Sequence, residues 1–260
     1  MVRFYRLLQN ETMKVAVRTR TFVFLIGLLL FSFLMAFFRL YLERMGGASE
    51  DVWGFLLFNS NLLPLAELFA VIIAADIVSS ELTWGTATML CIRPVKRWKI
   101  LLSKYVTVVL FTLAFVVILL VSSILFGIVF FGFPAQGESV GPVLERAFGL
   151  YGIGFAEMLP VITLAFMISS IAKSNSFSVG LSLFALFTGP FLVELFRMYG
   201  IEWGKYLFFA NLDLEVYLFG GFPAYPGMTL SFSLVNLLAH MVFFSGVSWW
   251  AFAKREIMMA

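Results

Sequence analysis

The sequence predicts an all-α integral membrane protein with six transmembrane helices, and three observations lead there. Apolar residues make up 62% of the chain and charged residues 13%, with a mean hydropathy of +0.99, whereas a soluble domain holds about half apolar and a quarter charged residues. The apolar residues are gathered into runs at or near the ~20 residues that cross a ~30 Å hydrocarbon core. Between these runs no stretch of ~100 residues is left to form a soluble domain. Residues 1–260 therefore read as a single transmembrane domain. The net charge of +3 does not speak for nucleic acid, because the basic residues lie beside the apolar runs and form no separate patch with base-stacking aromatics. The single cysteine, Cys91, excludes an internal disulfide and a cysteine-rich metal site.

Residues 1–20 carry Arg3, Arg6, Lys14, Arg18 and Arg20. At helical spacing Arg6, Asn10, Lys14 and Arg18 form one stripe, while Phe4, Leu7, Leu8 and Val15 lie elsewhere. The pattern is that of an amphipathic helix lying at the membrane surface, its basic face toward anionic lipid headgroups. A solvated basic arm is the alternative. The first span is expected at 21–38. Its run is longer than the ~7–15 residues of a signal-peptide core and no A-x-A-like cleavage site follows, so it reads as an uncleaved helix.

A polar loop at 39–54 leads to the second span, 55–75, which is interrupted by Asn59, Asn61, Pro64 and Glu67. Ala66, Ala70 and Ala74 repeat at four-residue spacing beside Glu67, which suits close approach of another helix. The third span, 105–131, is the least interrupted. A Gly- and Pro-containing loop at 133–146 precedes the fourth span, 147–172, with Glu157 and Pro160. Counting ~1.5 Å per residue, Glu67 and Glu157 lie ~18 and ~15 Å from the outer ends of their helices. Both carboxyls are thus placed near mid-membrane, as pathway groups or as partners in a helix contact.

Lys173 to Asn175 is a tight turn into the fifth span, 176–196, whose end is expected to loosen at Gly189 and Pro190. Residues 197–229 mix Trp203, Tyr206, Phe208, Phe209, Tyr217, Phe219, Phe222 and Tyr225 with Glu202, Lys205, Asp213 and Glu215. Aromatics mixed with charges suit the headgroup level, so this stretch reads as an outer re-entrant segment. A seventh span at 206–222 is the competing reading. The last span, 230–253, is closed by Lys254, Arg255 and Glu256. Six spans place thirteen of the eighteen Lys and Arg on one side: five in residues 1–20, five in 76–104, Lys173, Lys254 and Arg255. That asymmetry puts both termini and residues 76–104 in the cytoplasm and the protein in the plasma membrane.

The sequence lacks G-x-x-x-x-G-K-[ST] for phosphate binding and H-E-x-x-H for zinc. His240, the only histidine, has no neighbouring carboxylate or cysteine and reads as a satisfied intramembrane side chain. Asp51, Asp76 and Asp213 are too far apart in sequence to form an aspartate-rich magnesium motif. No metal or cofactor site and no enzymatic site is expected on this chain.

The remaining feature is the long polar stretch 76–104, DIVSSELTWGTATMLCIRPVKRWKILLSK. It has an acidic front, Asp76 and Glu81, and a basic back, Arg93, Lys96, Arg97, Lys99 and Lys104. Asp76 or Ser79 suits the cap of a short helix, and Pro94 suits the start of a second one whose lysines and Arg97 sit near headgroups. The succession Glu81, Gly85-Thr86, Pro94, Arg97, Lys104 resembles the first cytoplasmic loop of ABC-2 type transporter permeases, where it links spans two and three. The resemblance implies a transmembrane permease subunit of an ATP-driven exporter, with Asp76, Glu81, Gly85, Thr86, Pro94, Arg97 and Lys104 in the loop that meets the ATPase. It also implies that ATP and Mg are bound by a separate ATPase subunit, two copies of which join two permeases, the second being a copy or a paralogue. The short outer loops favour a drug or antimicrobial peptide as substrate, with ion extrusion, copper-enzyme maturation and lipid-linked substrates as alternatives within the family. A channel, a secondary transporter, and an immunity or scaffold protein that only binds its target are the alternatives outside it.

Overall fold

The computed structural model describes residues 4–46, 51–83, 96–133 and 141–257. These residues form helices and irregular connections, with no strand among them. In order they are α1 (Phe4–Ala16), α2 (Thr19–Arg44), α3 (Val52–Asn59), a 3-10 turn (Ser60–Leu62), α4 (Leu63–Asp76) and α5 (Ser79–Thr83). There follow α6 (Arg97–Phe130), α7 (Gly141–Ile171), α8 (Asn175–Met198), two 3-10 turns (Glu202–Tyr206 and Phe208–Asn211), α9 (Glu215–Leu218) and α10 (Leu230–Ile257). Six helical segments are long and apolar enough to cross a membrane: Thr19–Arg44, Val52–Glu81, Arg97–Phe130, Gly141–Ile171, Asn175–Met198 and Leu230–Lys254. No long helix forms between 199 and 229, so the seventh-span reading of 206–222 is not realised.

Several helices overrun the apolar runs that predicted them. α2 continues to Arg44 and α3 already begins at Val52, where Asp51 caps it by accepting from the Gly54 N–H at 2.7 Å. The polar loop expected at 39–54 is therefore mostly helix. α7 starts at Gly141, not 147, with Pro142 in the first turn, where no intrahelical N–H is required. α8 runs through Gly189 and Pro190 to Met198, so the expected loosening does not occur. The physical reason is common to all three: the apolar run measures what lies in hydrocarbon, whereas a helix ends where its backbone groups find other partners. Pro64 has the opposite outcome. The second span is broken just before it, at the 3-10 turn 60–62, as expected where a ring replaces a backbone donor.

The chain divides into two compact units. One comprises Met1–Val15, Ala70–Leu110 and Glu157–Ala260, the other Ala16–Phe69 and Phe111–Ala156. The second unit is packed through aromatic rings: Phe24 stacks on Phe69 at 4.5 Å, Phe55 on Phe131 at 5.2 Å, and Phe33 meets Phe126 and Phe130 edge-on. Its backbones touch where Gly127 faces Val52, and the Val52 N–H donates to the Gly132 carbonyl at 2.9 Å. In the first unit Tyr105 meets Phe166 edge-on and donates to or accepts from Thr163 at 2.8 Å. There the connection 199–229 is seated by Phe208 against Phe244 and His240, and by Tyr225 and Met228 in a cluster with Val193 and Ala210.

Candidate functional site

α1 is helical with a buried stripe of Leu7, Glu11 and Val15. Residues four apart share a helix face, so an acid lies at the centre of the helix's apolar side. Arg6, Asn10 and Lys14 form the exposed side, and Arg18 lies beyond the end of the helix. Glu11 finds its partner 93 residues away. Its Oε2 accepts from Lys104 Nζ at 2.7 Å, and its Oε1 accepts from Lys14 Nζ at 2.7 Å. Glu81 Oε1 pairs with the same two ammonium groups, 2.7 Å from Lys104 and 3.0 Å from Lys14.

Two cations and two carboxylates thus alternate around a closed ring joining α1, α5 and the first turns of α6. Lys104 is 0% exposed, and an unpaired ammonium there would be prohibitively expensive. Its three N–H groups are spent on Glu11, Glu81 and the Ile77 carbonyl at 3.4 Å, the last of these in the turn between α4 and α5. Burial pushes the Glu11 carboxyl up, but Lys104 and Lys14 outweigh it and hold Glu11 below its ordinary value. For Lys14, burial pushes downward and the two carboxylates outweigh it, so its ammonium is held above the ordinary lysine value.

The opposite side of α5 is held by neutral groups. Ser169 Oγ accepts from the N–H groups of Val78 and Ser79 at 3.2 and 3.0 Å, so α7 supplies a cap that the sequence suggested would come from Asp76 or Ser79. The Ser79 hydroxyl instead reaches the Ala75 carbonyl at 2.7 Å and Asn175 Oδ1 at 3.1 Å. Thr83 Oγ1 accepts from the Asn175 N–H, and the Ser178 hydroxyl donates to the Ala75 carbonyl at 2.6 Å. α5 is consequently fixed from both sides, immediately before residues 84–95.

Of the site residues predicted from sequence, the structure brings together Glu81 and Lys104. Asp76 is buried at the end of α4, and Arg97 is exposed at the start of α6. Gly85, Thr86 and Pro94 lie outside the described residues. Two expectations need correction. Both ends of the polar stretch 76–104 are buried, not solvated, because Asp76, Ser79, Ser80 and Lys104 pack within helices. The basic back is also divided: Lys96 and Arg97 are exposed, but Lys104 belongs to the ring and not to the headgroup level. Glu11 was missed in the sequence, although its spacing of four from both Leu7 and Val15 was the available signal.

Glu67 is half-buried on α4, next to the buried Ala66 and Ala70. Glu157 on α7 acts in a contact: its Oε1 accepts from the Leu214 N–H at 2.6 Å and the Glu215 N–H at 3.3 Å. The second unit holds a further polar group that the sequence only hinted at through Asn59. Asn59 Nδ2 donates to Ser32 Oγ at 2.9 Å and Ser123 Oγ at 2.5 Å, and Ser123 pairs with the Tyr151 hydroxyl at 2.8 Å. All four side chains are buried. His240 Nδ1 lies 2.9 Å from the Asn236 carbonyl, one turn back on α10. Among the described residues no group of three or more His, Cys, Asp or Glu is placed to hold a metal.

The fold and these intramembrane polar contacts define a multi-pass helical membrane protein, with its N-terminal helix locked by ion pairs to the connection between its second and third spans. The chain belongs to the family described as protein of unknown function DUF2705, whose model matches residues 20–258. It is 34% identical over 245 residues to an uncharacterized membrane protein, YdbK, of Bacillus subtilis (strain 168), covering 94% of this chain and 99% of that protein. It is also 38% identical over 220 residues to an uncharacterized protein, YhcI, of the same organism, covering 79% of this chain and 69% of that one.

Proposed function

We propose that this chain is the membrane-spanning permease subunit of an ABC-2 type exporter, driven by ATP hydrolysis on a separate ATPase subunit. In this reading α1 lies at the cytoplasmic membrane surface, both termini are cytoplasmic, and residues 76–104 are the coupling loop. The connection 199–229 is the outer re-entrant segment. Two permeases and two ATPases form the working complex, ATP and Mg are bound on the ATPase, and the substrate is a hydrophobic or amphipathic molecule such as a drug or antimicrobial peptide.

The observation that carries this reading is the ionic ring. A loop that receives a mechanical push has to be stiffly joined to the helices it moves, and Glu81, whose position matches the permease pattern, is tied through Lys104 to α6 and through Lys14 to α1. Charge pairs with several hydrogen bonds in a buried setting give that stiffness, whereas exposed pairs contribute little.

The experiment is co-expression of the chain with the ATPase encoded beside it, followed by purification and a reconstituted ATPase and transport assay. The expected result is a stable complex whose ATP hydrolysis is coupled to transport, and loss of that coupling on Glu81→Lys with the spans intact. If the chain purifies without an ATPase and Glu81→Lys leaves its function unchanged, the exporter reading fails in favour of a channel, secondary transporter or binding protein.

A further inference from the structure

We propose that residues 212–221 form a flap that swings at its glycine end, and that Glu157 of α7 is the catch holding it shut. The two flanks of this stretch are fixed independently of it. On one side Asn211, 1% exposed, donates from Nδ2 to the carbonyls of Lys205 and Leu207, both at 2.9 Å, and the Phe208 ring packs on His240 and Phe244. On the other side the buried Tyr225 donates its hydroxyl to the Val193 carbonyl at 3.3 Å.

Between these anchors the hydrogen bonds that join the flap to a neighbouring helix are few. Glu157 Oε1 accepts from Leu214 and Glu215, and the Tyr217 hydroxyl pairs with Ser233 Oγ at 3.0 Å. The remaining contact, the Val216 N–H to Asp213 Oδ1 at 3.4 Å, lies within the flap and moves with it. At the far end Gly220 has φ +85°, a conformation that side-chain-bearing residues rarely adopt, and Gly221 follows it. Such a pair provides a pivot.

The catch is a charge-assisted bond from a carboxylate to two backbone N–H groups, stronger than a neutral bond of the same length. It holds against two like charges, since Asp213 and Glu215 flank the bonded Leu214 and are exposed. Closing the flap buries Leu214 to 6% exposure, while Leu218 stays 55% exposed. The position of Leu214 is therefore a direct reporter of opening.

The test uses the full chain in lipid nanodiscs without any ATPase, so its outcome is separate from that of the exporter reading. In a Cys91→Ser background, the rate at which a membrane-impermeant maleimide labels Leu214→Cys is measured with Glu157, Glu157→Gln and Glu157→Ala. The expected result is labelling at least fivefold faster with Glu157→Ala and a smaller rise with Glu157→Gln, which keeps an acceptor oxygen but loses the charge. Leu218→Cys should label equally in all three. Equal rates at Leu214→Cys across the three backgrounds would overturn the proposal. So would a matching rise at Val193→Cys, beneath the fixed flank, because that would be general loosening and not release of a catch.

Discussion

Lys104 is the residue on which the largest single effect is expected. Lys104→Met leaves the carboxylates of Glu11 and Glu81 facing the same buried position without their shared cation. Breaking a buried pair in this way costs about 3–5 kcal/mol, so the variant should melt well below the parent in a detergent thermal-unfolding assay. Adding Glu11→Gln should recover part of the loss, since the second change removes an uncompensated charge. The same ring sets a pH window. Glu11 has a folded-state value below its unfolded one, so its contribution is present above the ordinary carboxylate range and disappears as pH falls through the lowered value. Lys14 has a raised value, so its contribution is complete below the ordinary lysine range and is lost as pH rises through the raised value. Amide exchange in α1, corrected for the intrinsic rate, should therefore show most protection around neutral pH and lose it in acid first; protection that increases in acid would contradict the ring. Glu11 was within reach of the sequence, because the period that makes Leu7 and Val15 a face also puts Glu11 on it. Its partner was not, since nothing local connects residue 11 to residue 104.

Among the elements, packing of α6 against α3 gives the clearest prediction. A Cβ on Gly127 would lie 2.8 Å from Val52 Cγ2 and 3.2 Å from the Val52 Cα and carbonyl oxygen. A side chain could turn aside, but backbone has to be displaced. Gly127→Ala should therefore cost about 1–3 kcal/mol by overpacking, whereas Gly152→Ala on α7, where a Cβ meets nothing within 4 Å, should be neutral in the same melting assay. The Asn59 network should be milder than its burial suggests. Hydrogen bonds between membrane helices average about 0.6 kcal/mol and reach about 1.7, so Tyr151→Phe, which removes the partner of Ser123, should fall in that range; a larger loss would mean that the network acts as one unit. At this scale the sequence was good at locating spans and poor at ending them. Residues 39–44 and 141–146 read as loop because they are polar, yet Asp51 and Pro142 are the signals that fix where the following helices begin. Gly189 and Pro190 read as a weak point because each disfavours helix alone. In α8 the glycine instead gives the Phe209 ring its place, and the helix continues.

For the whole molecule, the six spans were legible because hydrocarbon thickness translates directly into run length. The division into two compact units was not, since each draws on segments widely separated along the chain. The predicted orientation has a direct test. A fluorescent protein fused after residue 257 should fluoresce in the cytoplasm, and alkaline phosphatase fused after Gly200 should be active outside; the reverse pattern would overturn the charge-based assignment. Finally, the 93-residue separation of Glu11 and Lys104 makes the order of synthesis matter. At about 5–20 residues per second, some 5–20 s pass between the making of α1 and of the lysine that seats it. α1 is thus the first helix made, yet it receives its buried partner only when the third span is begun, so a nascent chain stopped after the second span carries Glu11 without Lys104. Completion of the third span is the step at which the N-terminal helix becomes part of the folded protein.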